Sequence, residues 1–145
     1  MARTIDSAKR VLSGTFGEVW VDGEKIAECT ACQAKVSKDK ATINLCGQFM
    51  SDTKALSAKG TGSLTLYHVD SGFLQRQRGL QDGVDERGTV ITKLKDPDSW
   101  GAERVALYNV SFDDLTLADW QAAKEGSVTA PFTLPGMSCW TPLRR

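Results

Sequence analysis

The sequence predicts a mainly β domain with one helix set between its strands. Three observations carry this reading. Residues alternate at strand period over Ala102–Phe112 and again over Val128–Leu134. An Asp22-Gly23 pair separates two short β-type runs, and only Ser71–Gln81 places apolar residues near helical spacing.

In chain order, the polar, weakly patterned stretch to about Ser13 reads as a flexible arm. Glu18–Val21, Asp22-Gly23 and Lys25–Ala27 read as a hairpin, because Asp-Gly tolerates the positive φ of a tight turn. The run from there to Val36 is small and polar on both faces. In the next strand Ile43 and Leu45 point one way, with Thr42, Asn44 and Cys46 opposite. Gly47 to Gly60 has scattered apolar residues and no clean period, so it reads as a long loop, and loops of that length inside a small domain are usually functional or disordered.

Alternation returns with Leu64 and Leu66 against Thr65 and Tyr67. In the helix, Phe73, Leu74 and Leu80 supply the apolar positions, Asp70 or Ser71 the cap, and Gly83 the stop. Thr89–Leu94 is a β-branched strand, and Asp96–Gly101 is rich in turn residues. In Ala102–Phe112, residues Ala106, Tyr108, Val110 and Phe112 share one face, and Val105 and Leu107 make the other partly apolar too. Strands apolar on both faces are buried on both sides, and in one small domain a neighbouring subunit is a natural cover.

The chain has 145 residues, enough for one domain with its own core, and residues 1–145 are read as that single domain. Eighteen basic and eighteen acidic residues give a formal charge of zero, which leans towards assembly and away from a general nucleic-acid binder. No stretch reaches the roughly 20 apolar residues of a membrane-spanning helix, and no apolar segment follows the basic start. The expectation is synthesis in the cytoplasm, without membrane anchoring and with thiols reduced.

Candidate chemistry is sparse. Cys29-Thr-Ala-Cys32 has zinc-knuckle spacing, but Cys46 and Cys139 stand alone instead of repeating it. On a regular strand Cys29 and Cys32 also face opposite sides, so inert buried thiols are the favoured reading and no cofactor or metal is expected. His68 is the sole histidine and has no marked nucleophile near it, which leaves it a packed or interface residue. Asp113-Asp114 with Glu103 reads as solvated carboxylates. Gly60-Thr-Gly62 lacks the Lys-Ser/Thr and the helix of a phosphate loop. Arg76 and Arg78 read as a solvated helix face or a contact to an acidic neighbour. No enzymatic site is predicted.

Taken in order, Ser13-Gly14, Gly17–Glu24, Ala31–Val36, Gly47, Lys59–Tyr67, Glu103–Phe112 and Val128–Leu134 resemble the tail tube proteins of contractile phages, prophages and phage-tail-like bacteriocins. The resemblance spans nearly the whole chain, while the Pro135–Arg145 ending and the four cysteines depart from the family's pattern. It implies a small β-sandwich or barrel-like domain with one flanking helix. Six copies would form a ring sharing a continuous inner β-barrel, and rings would stack into a tube inside a contractile sheath.

Expected partners are therefore other copies of the chain, the sheath, the tape measure and the baseplate proteins. DNA would pass through the lumen unbound if the particle is a phage, and the chain would reside in the virion tail or bacteriocin particle. The arm (residues 1–14) and the loop (residues 47–60) correspond to family segments that reach the adjacent ring. That nominates Arg3, Ile5 and Val11 in the arm, and Phe49, Met50, Lys54, Leu56 and Lys59 in the loop. The strands Ala31–Val36 and Thr42–Cys46 are expected to contribute to the lumen wall through Gln33, Lys35, Thr42 and Asn44. Two other readings are a zinc-binding module and a small-ligand-binding β-domain that stays monomeric.

Overall fold

The computed structural model describes residues 4–76 and 78–141, with side chains except at Phe73, Arg76, Arg78 and positions 139–141. Its strands are β1 (Gly17–Val21), β2 (Glu24–Lys25), β3 (Cys29–Ile43), β4 (Asp52–Tyr67), β5 (Arg87–Lys95), β6 (Ala102–Phe112), β7 (Ser127–Leu134) and β8 (Gly136–Thr141). A short helix α1 (Gly72–Arg76) and a 3-10 turn (Arg78–Asp82) follow β4. All strand pairs are antiparallel, in the order β2-β1-β5-β6-β7-β4-β3, with β8 added to β6.

The sheet folds into two layers because β7 and β8 divide their partners. β7 pairs with β4 along its whole length but meets β6 only at Ser111 and Phe112. After Pro135 the chain continues as β8 along Arg104–Tyr108 of β6. Phe112 and Phe132 pack edge to face at this corner, with centroids 5.8 Å apart. Leu64, Phe132 and Leu134 of one layer meet Val19, Val21, Val90, Leu107 and Val110 of the other to form the core. This is the expected mainly β sandwich with a flanking helix.

Local chemistry explains several elements. Asp22 and Gly23 have φ of 53° and 83°, the two left-handed positions of a type I′ turn, and they close the β1–β2 hairpin. Asp22 Oδ1 also accepts from the Thr89 amide (3.0 Å), pinning that turn to β5. Asp70 Oδ1 accepts from the Gly72 amide at 2.9 Å and starts α1, while Gly83, at φ 77°, ends the following turn. The helical region is thus one short helix and a 3-10 turn instead of a single Ser71–Gln81 helix. One further strand, β8, was not expected from the Pro135-Gly136 punctuation.

Three other expectations are corrected. Gly47–Gly60 is not an irregular loop: Asp52–Lys59 pairs with Ser37–Ile43 in a long hairpin, and only the tip between Ile43 and Asp52 is non-strand. Within the described part of the arm, Asp6, Arg10 and Ser13 are tied down instead of lying loose. Arg10 bonds the Asp98 carbonyl and the Asp6 carboxylate and lies over the Trp100 ring, while the Ser13 amide donates to buried Asp96. Finally, Asn109 at φ 56° shifts the alternation of β6 by one residue. Leu107 therefore shares the core with Val110, whereas Ala106 is buried on the opposite face.

Candidate assembly surfaces

The most conspicuous exposed feature is the end of the β3–β4 hairpin. β3 has 15 residues and β4 has 16, but β7 pairs with β4 only from Gly60 to Tyr67. Beyond Gly60 the two strands continue as a ribbon with no third strand on either edge among the described residues. An isolated two-stranded ribbon is marginal in water. This one also exposes Leu45, Phe49, Met50 and Leu56, with Met50 at 77% and Leu56 at 65% of full exposure. Leu56 is the extra residue of a bulge between the Asp39–Ser57 and Lys40–Ala55 pairs, so it leaves the ladder and points outward.

The residues nominated for ring-to-ring contact are therefore gathered on one projection: Phe49 and Met50 at its tip, Lys54, Leu56 and Lys59 on its β4 strand. In the arm, Ile5 and Val11 are exposed, while Arg3 lies outside the described residues. Of the nominated lumen residues, Gln33 and Lys35 lie on one face of β3, and by alternation Thr42 falls on the other. Asn44 lies in the tip turn. Arg76 and Arg78 have no described side chains.

Gln33 and Lys35 open onto a polar surface. Their cross-strand partners are Ser63 and Thr61, and the same face continues through Thr65 to Thr129 and Thr133 on β7. Hydroxyl groups no larger than threonine dominate it, and its far edge is acidic. There Thr133 Oγ1 donates to Asp113 and Ser111 Oγ to Asp85, each at 2.8 Å. The sequence shows these threonines only as alternation; register makes them one surface.

The cysteines sit on the other face. A bulge at Thr30 sets Cys29 opposite Leu66 and Cys32 opposite Leu64, so both thiols share the core side of β3. That overturns the opposite-face argument, which assumed a regular strand. The two line an open groove of about 890 Å³ between the layers, with Val19, Ile26, Val105 and Leu107. Burial raises the Cys29 thiol, and burial with the neighbouring Cys29 pushes Cys32 to about 11. Both are protonated at neutral pH, unlike a metal-binding or redox-active pair. Among the described residues no three His, Cys, Asp or Glu side chains converge on a metal site. His68 leaves β4, donates its amide to the Gly126 carbonyl (2.8 Å) and lines a small crevice with Leu74 and Leu117. No described helix is long and apolar enough to cross a membrane.

Comparison with known proteins gives this geometry a context. A family model described as phage tail tube protein matches residues 5–140. The phage-like element PBSX protein XkdM of Bacillus subtilis (strain 168) is 36% identical over 129 residues, covering 87% of this chain and 88% of that protein. A solved structure of a protein from Bacillus subtilis is 33% identical, with a TM-score of 0.52 over 92% of this chain and 98% of that one. A chain of the PVC sheath-tube complex, from an extracellular contractile injection system in its extended state, has the same fold: TM-score 0.72 at 12% identity, over 91% of this chain and 94% of that one.

Proposed function

Because the chain belongs to the phage tail tube protein family, we propose that it builds the inner tube of a contractile phage tail or phage-tail-like particle. In this reading six copies close a ring, their strands joining into one inner barrel, and rings stack to make a channel. The observation that carries it is the β3–β4 ribbon, which leaves the subunit with open strand edges and an exposed apolar tip. Open edges of this kind are an aggregation hazard unless assembly covers them. Closure of a barrel by neighbouring copies removes them.

The hydroxyl face from Gln33 and Lys35 to Thr133 is the natural lumen wall. Short neutral hydroxyls hydrate a passing polyanion without the salt-dependent grip of a lysine-lined surface. Thr42 and Asn44 then belong to the ribbon's other side and its tip. The ribbon and the arm residues Ile5 and Val11 reach the next ring. The outer surface faces a sheath, with tape measure and baseplate proteins at the ends of the tube. The sheath-tube complex that shares this fold supports the sheath as partner. The place of action is the virion tail or bacteriocin particle, after synthesis in the bacterial host cytoplasm. The role is mechanical and needs no enzyme activity or cofactor.

Negative-stain microscopy and sedimentation of the concentrated protein, alone and co-expressed with the sheath and baseplate proteins of its particle, test this. Rings of six or hollow tubes are expected. A protein that stays monomeric under both conditions overturns the proposal.

A further inference from the structure

The ribbon tip and the opposite end of the sandwich complement one another in apolar exposure and in charge. The two ends are far apart within one subunit. β4 runs from the tip at Asp52 to Tyr67, about 50 Å at roughly 3.3 Å per residue. Ser127 pairs with Tyr67, the His68 amide bonds Gly126, and Asp114–Leu117 lines a crevice with His68 and Ser71, so the connection 114–126 sits at the end remote from the tip. That connection exposes Leu117 (75%) and Trp120 (84%), with exposed Val69 at the same end of the subunit.

Charge divides along the same axis. From Lys35 to Lys59 the hairpin holds five lysines and two aspartates, a balance of +3. The connection 114–126 holds three acidic residues and one lysine, a balance of −2. A chain that is neutral overall is therefore strongly polar from end to end. The tip cannot reach its own far end, so only another copy can bring the two together.

We propose that the ribbon of one copy docks head to tail on the 114–126 end of a second copy, with Phe49 and Met50 against Leu117 and Trp120 and the ribbon lysines facing Asp114 and Asp119. This rests on the tube reading above and names the surface that receives the ribbon. Two different patches meet in such a contact, and where the step between copies runs along an axis it repeats without closing. Every ring added would present the same ribbon to the next, which fixes the direction of stacking. Charge pairing at exposed positions steers the approach and weakens with salt.

A charge-swap series tests the proposal by tube length in negative stain. K54E/K59E and D114K/D119K are each expected to shorten tubes at least tenfold while rings persist, and the four substitutions together are expected to restore length. Raising the salt should shorten wild-type tubes in the same direction. Wild-type tube length in both reversed variants overturns the inference, as does failure of the combined variant to recover. Dispersal of rings into monomers also overturns it, because Lys54, Lys59, Asp114 and Asp119 would then serve contacts within a ring instead of between rings. If the wild-type chain yields neither rings nor tubes under any condition, the tube reading itself falls.

Discussion

Phe132 lies so close over Gly62 that a Cβ at Gly62 would come within 2.6 Å of the Phe132 ring, and closer still to the Gln33 carbonyl. Gly60 stands in the same relation to Leu134, with 2.8 Å to its Cγ. The glycines that superficially resembled a phosphate loop are thus the floor on which two core side chains of β7 rest. Gly62→Ala is expected to destabilise the subunit by about 1–3 kcal/mol, the usual cost of overpacking a tight site. Gly136→Ala, where a Cβ meets nothing within 4 Å, serves as the near-neutral control. Urea denaturation of the dilute protein measures both, and equal midpoints for the two variants would contradict the packing argument.

The I′ turn makes a second stability prediction. Gly23 has φ 83°, and a β-branched residue there is strained whatever the surrounding space. Gly23→Val should cost about 1–3 kcal/mol. Asp22→Ala should cost less, about 1 kcal/mol, through loss of the bond to the Thr89 amide. Thermal unfolding of the two variants gives the order directly, and the reverse order would count against the turn assignment.

The thiols predict a pH window. Cys32 titrates at about 11 in the folded chain against an ordinary value of 9.0, because burial disfavours its thiolate. The folded state therefore holds a proton that the unfolded state releases first. Stability from this group is intact below about pH 9 and is lost as pH rises towards 11. Cys32 and Cys46 are both solvent-exposed, but the raised Cys32 thiol supplies less thiolate, so alkylation at pH 8 should mark Cys46 before Cys32, as read by peptide mass mapping. Preferential labelling of Cys32 would contradict the raised-thiol reading.

The ribbon tip separates folding from assembly. Phe49 and Met50 are exposed, so replacing both with serine should leave subunit stability within about 0.5 kcal/mol. Tube formation should fall steeply, because the apolar tip has then lost what it buries in a partner. Circular dichroism melts and negative-stain length distributions on the same preparation check the two halves. A large loss of melting temperature would mean that the tip packs within its own subunit.

Much of this was legible in the sequence, for identifiable reasons. Alternation and Asp-Gly chemistry are local signals, and they marked the β1–β2 turn, β5 and β7 within a residue or two. The Asp96–Gly101 turn is local too, with the Ser99 amide bonding the Asp96 carbonyl at 3.0 Å. What failed was everything set by pairing partners. Asp52–Lys59 reads as a loop because its side chains, apart from Leu56, are small or charged on both faces, as suits a strand solvated on both sides. The bulges at Thr30 and Asn109 shift alternation without any marker beyond an ordinary threonine and asparagine. The hydroxyl face needed the β3–β4–β7 register to become one surface, and β8 was hidden by the Pro135-Gly136 pair before it.

The bare ribbon beyond Gly60 bears on the timing of assembly. In a free subunit its strands have only each other, so ordering it against a partner lowers conformational entropy at the first encounter. A partner that already presents a finished ring makes that step easier than a collision between two loose subunits. Growth should therefore outpace initiation, with a lag that added tube fragments abolish. The number of starting points, more than the supply of subunits, would then decide how many tubes a cell makes. A light-scattering time course with and without sonicated seeds measures that lag.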